Sequence, residues 1–226
     1  RLRELYDVAV ATAHPSVCLP QHLPALADNE PMLVLGAGKA DAAMAQAVEA
    51  HYEKRGQLSL LHGFVTTRHG FALPTRRIEI VEAGHPVPDA ASTQAAERTL
   101  RLAAATQPGS RVLVLMSGGA SALWCAPVMG VSAAEKQALT RQLLRSGAPI
   151  GDMNTVRRHL SLIKGGHLVQ AIPYRRVLTL AISDVPRDEP QAIGSGPTVA
   201  DPTSLADARA VLEKYKILAP DSIVRA

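Results

Sequence analysis

The stretch that decides the fold runs from residue 111 to residue 123 and reads RVLVLMSGGASAL. Its first part is apolar apart from Arg111, and the apolar run stops abruptly at Ser117-Gly118-Gly119. A strand that is apolar throughout is typical of a parallel sheet covered by helices on both faces. The segment therefore predicts a buried strand, a glycine-rich turn and the start of a helix.

The same alternation of strand and helix extends along the whole chain. Apolar runs predict further strands at residues 32–35, 63–67, 77–82 and 176–182, and helical spacing predicts helices at 41–52, 89–106, 132–146, 154–170 and 204–215. We therefore expect an α/β fold, a Rossmann-like and mostly parallel sheet with helices on both faces. No repeat or low-complexity linker divides the chain, so residues 1–226 are expected to form one domain.

Composition excludes several classes of protein. The formal net charge of +4 comes from scattered basic residues, and aromatic residues make up only 3% of the chain, which argues against nucleic-acid binding. No apolar run approaches the roughly 20 residues of a membrane helix, and no signal peptide is visible. Cys18 and Cys125 form no CxxC pair, so we expect two reduced thiols in a cytoplasmic protein rather than a zinc site or a disulfide.

The turn after the first strand has the composition of an anion-binding loop. Gly36-Ala37-Gly38-Lys39 opens a helix, where free N–H groups and the Lys39 ammonium attract phosphate or carboxylate. A dinucleotide-binding G-x-G-x-x-G loop would need Gly or Ala where Asp41 stands, so that fingerprint is incomplete. A purely structural tight turn is the alternative.

A second glycine-rich turn follows the strand at 111–116. Ser117, Gly118, Gly119 and Ser121 offer hydroxyl and backbone N–H groups that suit phosphate oxygens. The G-x-S-x-G pattern of a serine nucleophile is incomplete here. Phosphate binding is the favoured interpretation, beside a structural turn or a nucleophile at Ser121.

Three further segments carry candidate ligands. Asp184 follows the last predicted strand and Asp188 lies four residues later, and carboxylates near phosphates are typical ligands of Mg²⁺; a helix cap and a turn residue are the alternative. His85 lies in a proline-rich loop that could direct it into a cleft, and a purely structural histidine is the alternative. The segment 154–166 brings Asn154, Arg157 and Lys164 near a glycine pair that disfavours a continuous helix, although surface charge is the default for such a cluster.

Taken in order, these segments resemble those of the glycerate 2-kinase family, whose members carry a C-terminal MOFRL domain and are often labelled hydroxypyruvate reductase. The resemblance rests on GAGKA (36–40), GHPVPD (84–89), SGGASAL (117–123), MNTVR to IKGG (153–166) and SDVP to SGPT (183–198). Each motif alone is weak, but five in this order are specific and span nearly the whole chain.

The resemblance implies ATP- and Mg²⁺-dependent phosphorylation of D-glycerate at its 2-hydroxyl. It implies catalytic roles for Lys39 and Asp184, and a magnesium site at Asp184 and Asp188. It also implies phosphate or nucleotide contacts at Gly36, Gly38, Ser117, Gly118, Gly119, Ser121, Lys164, Gly196 and Thr198, and substrate contacts at His85, Asn154 and Arg157. Arg187 stands where the family pattern has glycine, which puts the metal role of Asp188 in question.

The resemblance also implies a partner domain. Members of the family are about twice as long, the C-terminal MOFRL domain is not found in this chain, and that domain is expected to complete the active site. Homodimerisation is one assembly that the sequence allows. Two other functions stay open: an NAD(P)H-dependent hydroxypyruvate reductase, with Arg68 able to read a 2′-phosphate, and a non-catalytic module that binds nucleotides or small anions.

Overall fold

The computed structural model describes residues 1–174 and 176–225. The strands are β1 (Met32–Ala37), β2 (Leu61–Arg68), β3 (Glu79–Ala83), β4 (Arg111–Ser117) and β5 (Val177–Ile182). The helices are α1 (Leu2–Ala13), α2 (Pro15–Cys18), α3 (Asp41–Glu53), α4 (Ala90–Ala104), α5 (Ala120–Leu123), α6 (Ala133–Arg145), α7 (Ile150–His159), α8 (His167–Ala171), α9 (Leu205–Lys214) and α10 (Asp221–Arg225). Among the described residues, no helix is both long and apolar enough to cross a membrane.

The five strands form one parallel sheet in the order β3-β2-β1-β4-β5. All five predicted strands are present, and the predicted α/β class is confirmed. Three predicted helices begin where a side chain caps the N-terminus: Asp89 before α4, Ser132 before α6 and Ser204 before α9. Each cap oxygen accepts a backbone N–H that the helix itself leaves unpaired.

The core lies on both faces of the central strands, as the continuous apolar runs predict. Every residue of β1 is buried, and so is β4 after its first residue. Alternate side chains point to opposite faces: Leu33 and Val114 pack toward α4, α5 and α8, whereas Val34 and Leu115 pack toward α3. The two glycine-rich turns therefore follow the two most completely buried strands.

The prediction of complete burial is wrong for β5. Its residues are only partly buried, and Ala181 is exposed. The reason is position, because β5 lies at the edge of the sheet and pairs with β4 alone among the described residues. An apolar sequence does not distinguish a central strand from an edge strand.

The prediction of a single helix at 154–170 is also wrong. The chain forms α7 and α8 instead, separated by a turn in which Gly165 and Gly166 have φ of 61° and 86°. Glycine adopts these left-handed angles without the steric penalty that other residues meet. α7 thus ends at His159, before the glycine pair, and the pair directs the chain into α8, whose N-cap is Gly166.

Candidate functional site

The two glycine-rich turns meet at the carboxyl edge of the sheet. β1 leads into α3 and β4 leads into α5, and the two strands are neighbours. In chain order, β2 and β3 extend the sheet on one side of β1, and β4 and β5 extend it on the other side. In open parallel sheets, ligands bind in the crevice beside such a reversal of strand order.

The turn after β1 packs tightly against its surroundings. The N–H of Gly38 donates to a carbonyl of β2 at 3.0 Å, and the N–H of Lys39 donates to the carbonyl of Gly118 at 2.9 Å. A Cβ on Gly38 would overlap the hydroxyl of Ser117, and one on Gly36 would lie 2.8 Å from a β4 carbonyl. Close packing thus explains why both positions have glycine. Their contact with phosphate stays a prediction. The Lys39 side chain is what this turn presents to solvent.

A buried carboxyl joins the two turns. Asp41, the first residue of α3, is fully buried, and its Oδ1 accepts a hydrogen bond from the Ser117 hydroxyl at 2.5 Å. That hydroxyl accepts the N–H of Ala40 at 3.0 Å, while the Asp41 Oδ2 has no partner among the described residues. Burial raises the pKa of Asp41 well above its usual range, against the opposing effect of Ser117. The folded protein therefore favours the neutral acid at this position.

Gly118 and Gly119 form the centre of the site. The Asp184 carboxylate occupies the space that a Cβ on Gly118 would need. Gly119 has φ of 93°, and a Cβ there would lie 2.8 Å from Nε2 of His85 and 3.3 Å from Cγ of Lys39. Within the described part of the chain, neither glycine N–H has a hydrogen-bond partner. An ammonium, an imidazole, a carboxylate and two available N–H groups therefore converge on one turn.

The charges at this turn are open to solvent. Nζ of Lys39 lies 3.6 Å from Oδ2 of Asp184, and the two side chains are 43% and 63% exposed. Exposed ion pairs contribute at most about 1 kcal/mol, so ligand contacts can replace this one at little cost. Burial, with the positive charges of Lys39 and Arg68, lowers the pKa of His85. The imidazole is therefore uncharged at neutral pH.

A cavity of about 330 Å³ opens beside this turn. Predicted site residues that line it are Ser117, Gly118, Gly119, Ser121, Asn154, Arg157 and Asp184. Arg157 Nη2 donates to the Ser121 hydroxyl at 2.6 Å, and the Ser121 and Ser195 hydroxyl oxygens are 3.0 Å apart. Ser195 in turn donates to Oδ1 of Asn154 at 3.4 Å. Because the partners of Ser121 are Arg157 and Ser195 rather than an imidazole, the geometry does not favour a serine nucleophile.

Lys164 is not among the residues that line this cavity. Its ammonium is fully buried and donates to the carbonyls of Ser121 at 3.1 Å and Trp124 at 2.7 Å. These hydrogen bonds stabilise the C-terminal end of α5, the short helix that follows the glycine turn. The phosphate contact of Lys164 stays a prediction, and the contacts seen are structural.

The structure separates the two aspartates of the 183–188 loop. Asp184 lines the cavity beside Gly118, whereas Asp188, Gly196 and Thr198 line a different cavity of about 610 Å³ along β5. In residues 1–174 and 176–225, no group of three or more His, Cys, Asp and Glu side chains is placed to hold a metal ion. Magnesium usually takes one or two carboxylates with water and substrate phosphates, so Asp184 alone has suitable chemistry here.

The loop conformation explains why the family pattern has glycine at position 187. Arg187 has φ of 67° and Asp188 has φ of 51°, both in the left-handed region. This conformation costs a residue with a side chain about 1–2 kcal/mol. The chain thus keeps the turn that the glycine would favour.

Two residues of the site were not among the predicted ligands. In the sequence Asp41 is visible only as a departure from the dinucleotide pattern, and its close contact with Gly36 and Gly38 appears in the structure. Ser195 lies in the GSGPT segment, and its position beside Ser121 depends on a contact between residues far apart in sequence. Sequence spacing carries no information on such contacts.

Comparison with known proteins finds a matching family and several similar proteins. Over residues 1–226 it matches the family described as Domain of unknown function (DUF4147). A protein of Agrobacterium vitis named "Putative hydroxypyruvate reductase" is 48% identical over 98% of this chain and 49% of its own length. A D-glycerate 2-kinase of Thermotoga maritima is 38% identical over 99% of this chain and 52% of its own length.

A solved structure gives the same relationship. The crystal structure of a glycerate kinase from Thermotoga maritima has a TM-score of 0.88 and 36% identity, covering 98% of this chain and 53% of that one. The chain thus spans about half the length of the curated relatives it matches. The chain belongs to the DUF4147 family, and its resemblance to the glycerate 2-kinases is confirmed by relatives that bear that name.

Proposed function

We propose that the protein containing this chain phosphorylates D-glycerate at its 2-hydroxyl with ATP as the donor. One observation carries the proposal: Lys39, Asp184 and the available N–H groups of Gly118 and Gly119 converge at the reversal of strand order. Phosphoryl transfer depends mainly on positioning and on neutralising charge. Two relatives from Thermotoga maritima, named D-glycerate 2-kinase and glycerate kinase, support the same reaction.

The groups at and beside the Gly118–Gly119 turn divide into two sets in this proposal. The Gly118 and Gly119 N–H groups and the Lys39 ammonium bind the transferring phosphoryl group and neutralise its charge. Arg157 and Asn154 hold the acceptor, since a guanidinium binds a carboxylate strongly and an amide can bond a hydroxyl. His85, as an uncharged imidazole, borders the acceptor.

Asp184 is the one carboxylate among the described residues that line this cavity. It suits either of two roles, which are to accept the proton of the 2-hydroxyl or to hold Mg²⁺. Bound Mg²⁺ would bridge phosphate oxygens and offset their negative charge. Asp188 has no part in the proposal, because it lines the other cavity.

We further propose that a C-terminal domain completes the site. The chain corresponds to about half the length of the relatives named above, and the side chains of Lys39 and Asp184 are both exposed to solvent. A second domain that closed over them would exclude water and so limit wasteful hydrolysis of ATP. A cytoplasmic location stays a prediction of the sequence.

Reduction of hydroxypyruvate is the second candidate, favoured by the name of the Agrobacterium vitis relative. The structure of the glycine turn after β1 disfavours this reductase function. Its N–H groups are used within the protein, and Asp41 fills the space beside Gly36 and Gly38. A dinucleotide pyrophosphate needs such a turn to be open.

The experiment uses the full-length gene product with D-glycerate and MgATP. We expect ADP formation that depends on D-glycerate, with 2-phosphoglycerate as the product identified by NMR. The matched control replaces ATP and glycerate with NADPH and hydroxypyruvate. NADPH oxidation without glycerate-dependent ADP formation would support the reductase, and nucleotide binding without either reaction would support a binding module.

A further inference from the structure

A third cavity, of about 270 Å³, adjoins the cavity of Gly118 and Asp184 and shares Ser121, Ile150 and Arg157 with it. The residues that border it come mainly from α6, α7 and the segment 86–88. Its charged lining residues are Lys136, Arg141, Arg157 and Lys164, and no acidic residue lines it in the described part of the chain. The remaining walls are largely apolar, with the Cys125 thiol among them. A cavity with only positive charges is complementary to an anion.

Two of the cations are buried as deeply as core residues. Lys136 is 6% exposed and Lys164 is 2% exposed. The Lys136 ammonium donates to the carbonyl of Leu160 at 2.5 Å, and the Lys164 ammonium donates to two carbonyls of the α5 region. An ammonium has three N–H donors, so these contacts leave donors on both lysines unused.

Two other sets of buried charges lie beside partners of opposite charge. Arg158, the residue after Arg157 on α7, lies with its Nε 2.9 Å from Oδ1 of Asp201. The buried carboxylate of Glu30 lies 3.2 Å from Arg111 and 3.0 Å from Arg176. Burying a charge without a partner of opposite charge is costly. Among the described residues, Lys136 and Lys164 have no such carboxylate partner and donate only to carbonyl groups.

We propose that this cavity binds a phosphate group, either free or carried on a small organic molecule, through Lys136, Lys164 and Arg157. Its volume is below the roughly 300–1,000 Å³ of sites for drug-sized ligands, which fits a small ligand. The site goes beyond the proposed kinase reaction, because it lies outside the cavity of Gly118 and Asp184. Arg157 lines both cavities and donates to the Ser121 hydroxyl, so a ligand here would also contact a residue of the proposed acceptor site.

The protonation of the two lysines supports the same conclusion. Burial lowers the pKa of Lys136 to about 8, and burial with repulsion from Lys136 and Arg157 lowers the pKa of Lys164 well below its usual range. An anion between them would reverse these effects. Binding at pH 8.5 should therefore be accompanied by uptake of protons.

Titration calorimetry with inorganic phosphate as the probe tests the proposal. We expect saturable binding that Lys136→Gln weakens by at least about tenfold, since a charged hydrogen bond is lost. Lys54→Gln makes the same charge change at an exposed site and should leave the affinity unchanged. Lys39→Ala should also leave it unchanged, because Lys39 is not among the residues that line this cavity. 2-Phosphoglycerate and glycerol 3-phosphate, titrated in the same way, distinguish free phosphate from a carried group.

A measurement on the unaltered protein tests the proposal even if the Lys136→Gln variant does not fold. Calorimetry at pH 8.5 in two buffers of different ionisation enthalpy reports protons taken up on binding, and Lys136→Arg should restore most of the affinity. The absence of saturable phosphate binding would overturn the proposal. So would binding that Lys39→Ala removes and Lys136→Gln retains, or binding without proton uptake. None of these results depends on whether the protein turns over glycerate.

Discussion

The buried carboxyl of Asp41 makes a prediction about how stability changes with pH. Burial raises the pKa of the folded carboxyl well above its usual value of 3.8, whereas the unfolded chain keeps that usual value. Between these two values the folded protein holds a proton that the unfolded chain has released. The free energy of unfolding should therefore fall by about 1.4 kcal/mol per pH unit on account of this one group as the pH rises above about 4.

Asp41→Asn removes this titration and leaves the neighbouring residues in place. The difference in free energy of unfolding between Asp41→Asn and the parent should grow with pH in favour of the variant, by about 1.4 kcal/mol per unit, until the folded carboxyl ionises. Urea unfolding followed by the fluorescence of Trp124, the one tryptophan and a fully buried one, measures this difference. Asp184→Asn, at an exposed carboxylate, is the matched control. A difference that does not change between pH 4.5 and 8 would refute the neutral state of Asp41.

Two further substitutions test the packing of the site and its supports. Gly119→Ala should lower the free energy of unfolding by more than the roughly 1–2 kcal/mol that its left-handed φ costs, because the added Cβ meets His85. Gly130 has a similar φ with open space around it, so Gly130→Ala should show the effect of φ alone. Equal losses of unfolding free energy in urea would show that the His85 contact is absent. Asp201→Asn should lower the free energy of unfolding by about 3 kcal/mol or more, since it leaves the Arg158 guanidinium buried without its partner. Asp221→Asn, in an exposed pair with Arg225, should change little, and a similar small effect of Asp201→Asn would contradict the role of the buried pair.

The sequence predicts the sheet well because local patterns determine its strands. Continuous apolar runs bounded by glycine place β1 and β4, and the turns after them necessarily lie at the carboxyl edge of a parallel sheet. The meeting of Gly38 with Ser117 then follows from strand order, which the apolar pattern does not contain. The edge position of β5 was missed for the same reason, since burial of a strand depends on its neighbours.

The candidate site is only partly predictable from sequence. Motifs identify Lys39 and Asp184 and the glycine turn, but they do not show that Asp188 lines another cavity, because that depends on the left-handed angles at 187 and 188. Lys136 has the appearance of a surface residue on an amphipathic helix. Its burial follows from how α6 packs against α7, a contact between segments that no local pattern records.

The central claim is that transfer takes place where Lys39 and Asp184 meet at the Gly118–Gly119 turn. The most direct measurement is the steady-state rate of glycerate-dependent ADP formation by the full-length gene product carrying Lys39→Ala, beside Lys54→Ala as an exposed control. Removal of one preorganised charge-stabilising group typically lowers kcat by about 100- to 1,000-fold. We predict a loss of that order for Lys39→Ala, with an unchanged melting temperature and full activity in Lys54→Ala. Wild-type kcat and KM in Lys39→Ala would contradict the account and place the reaction elsewhere.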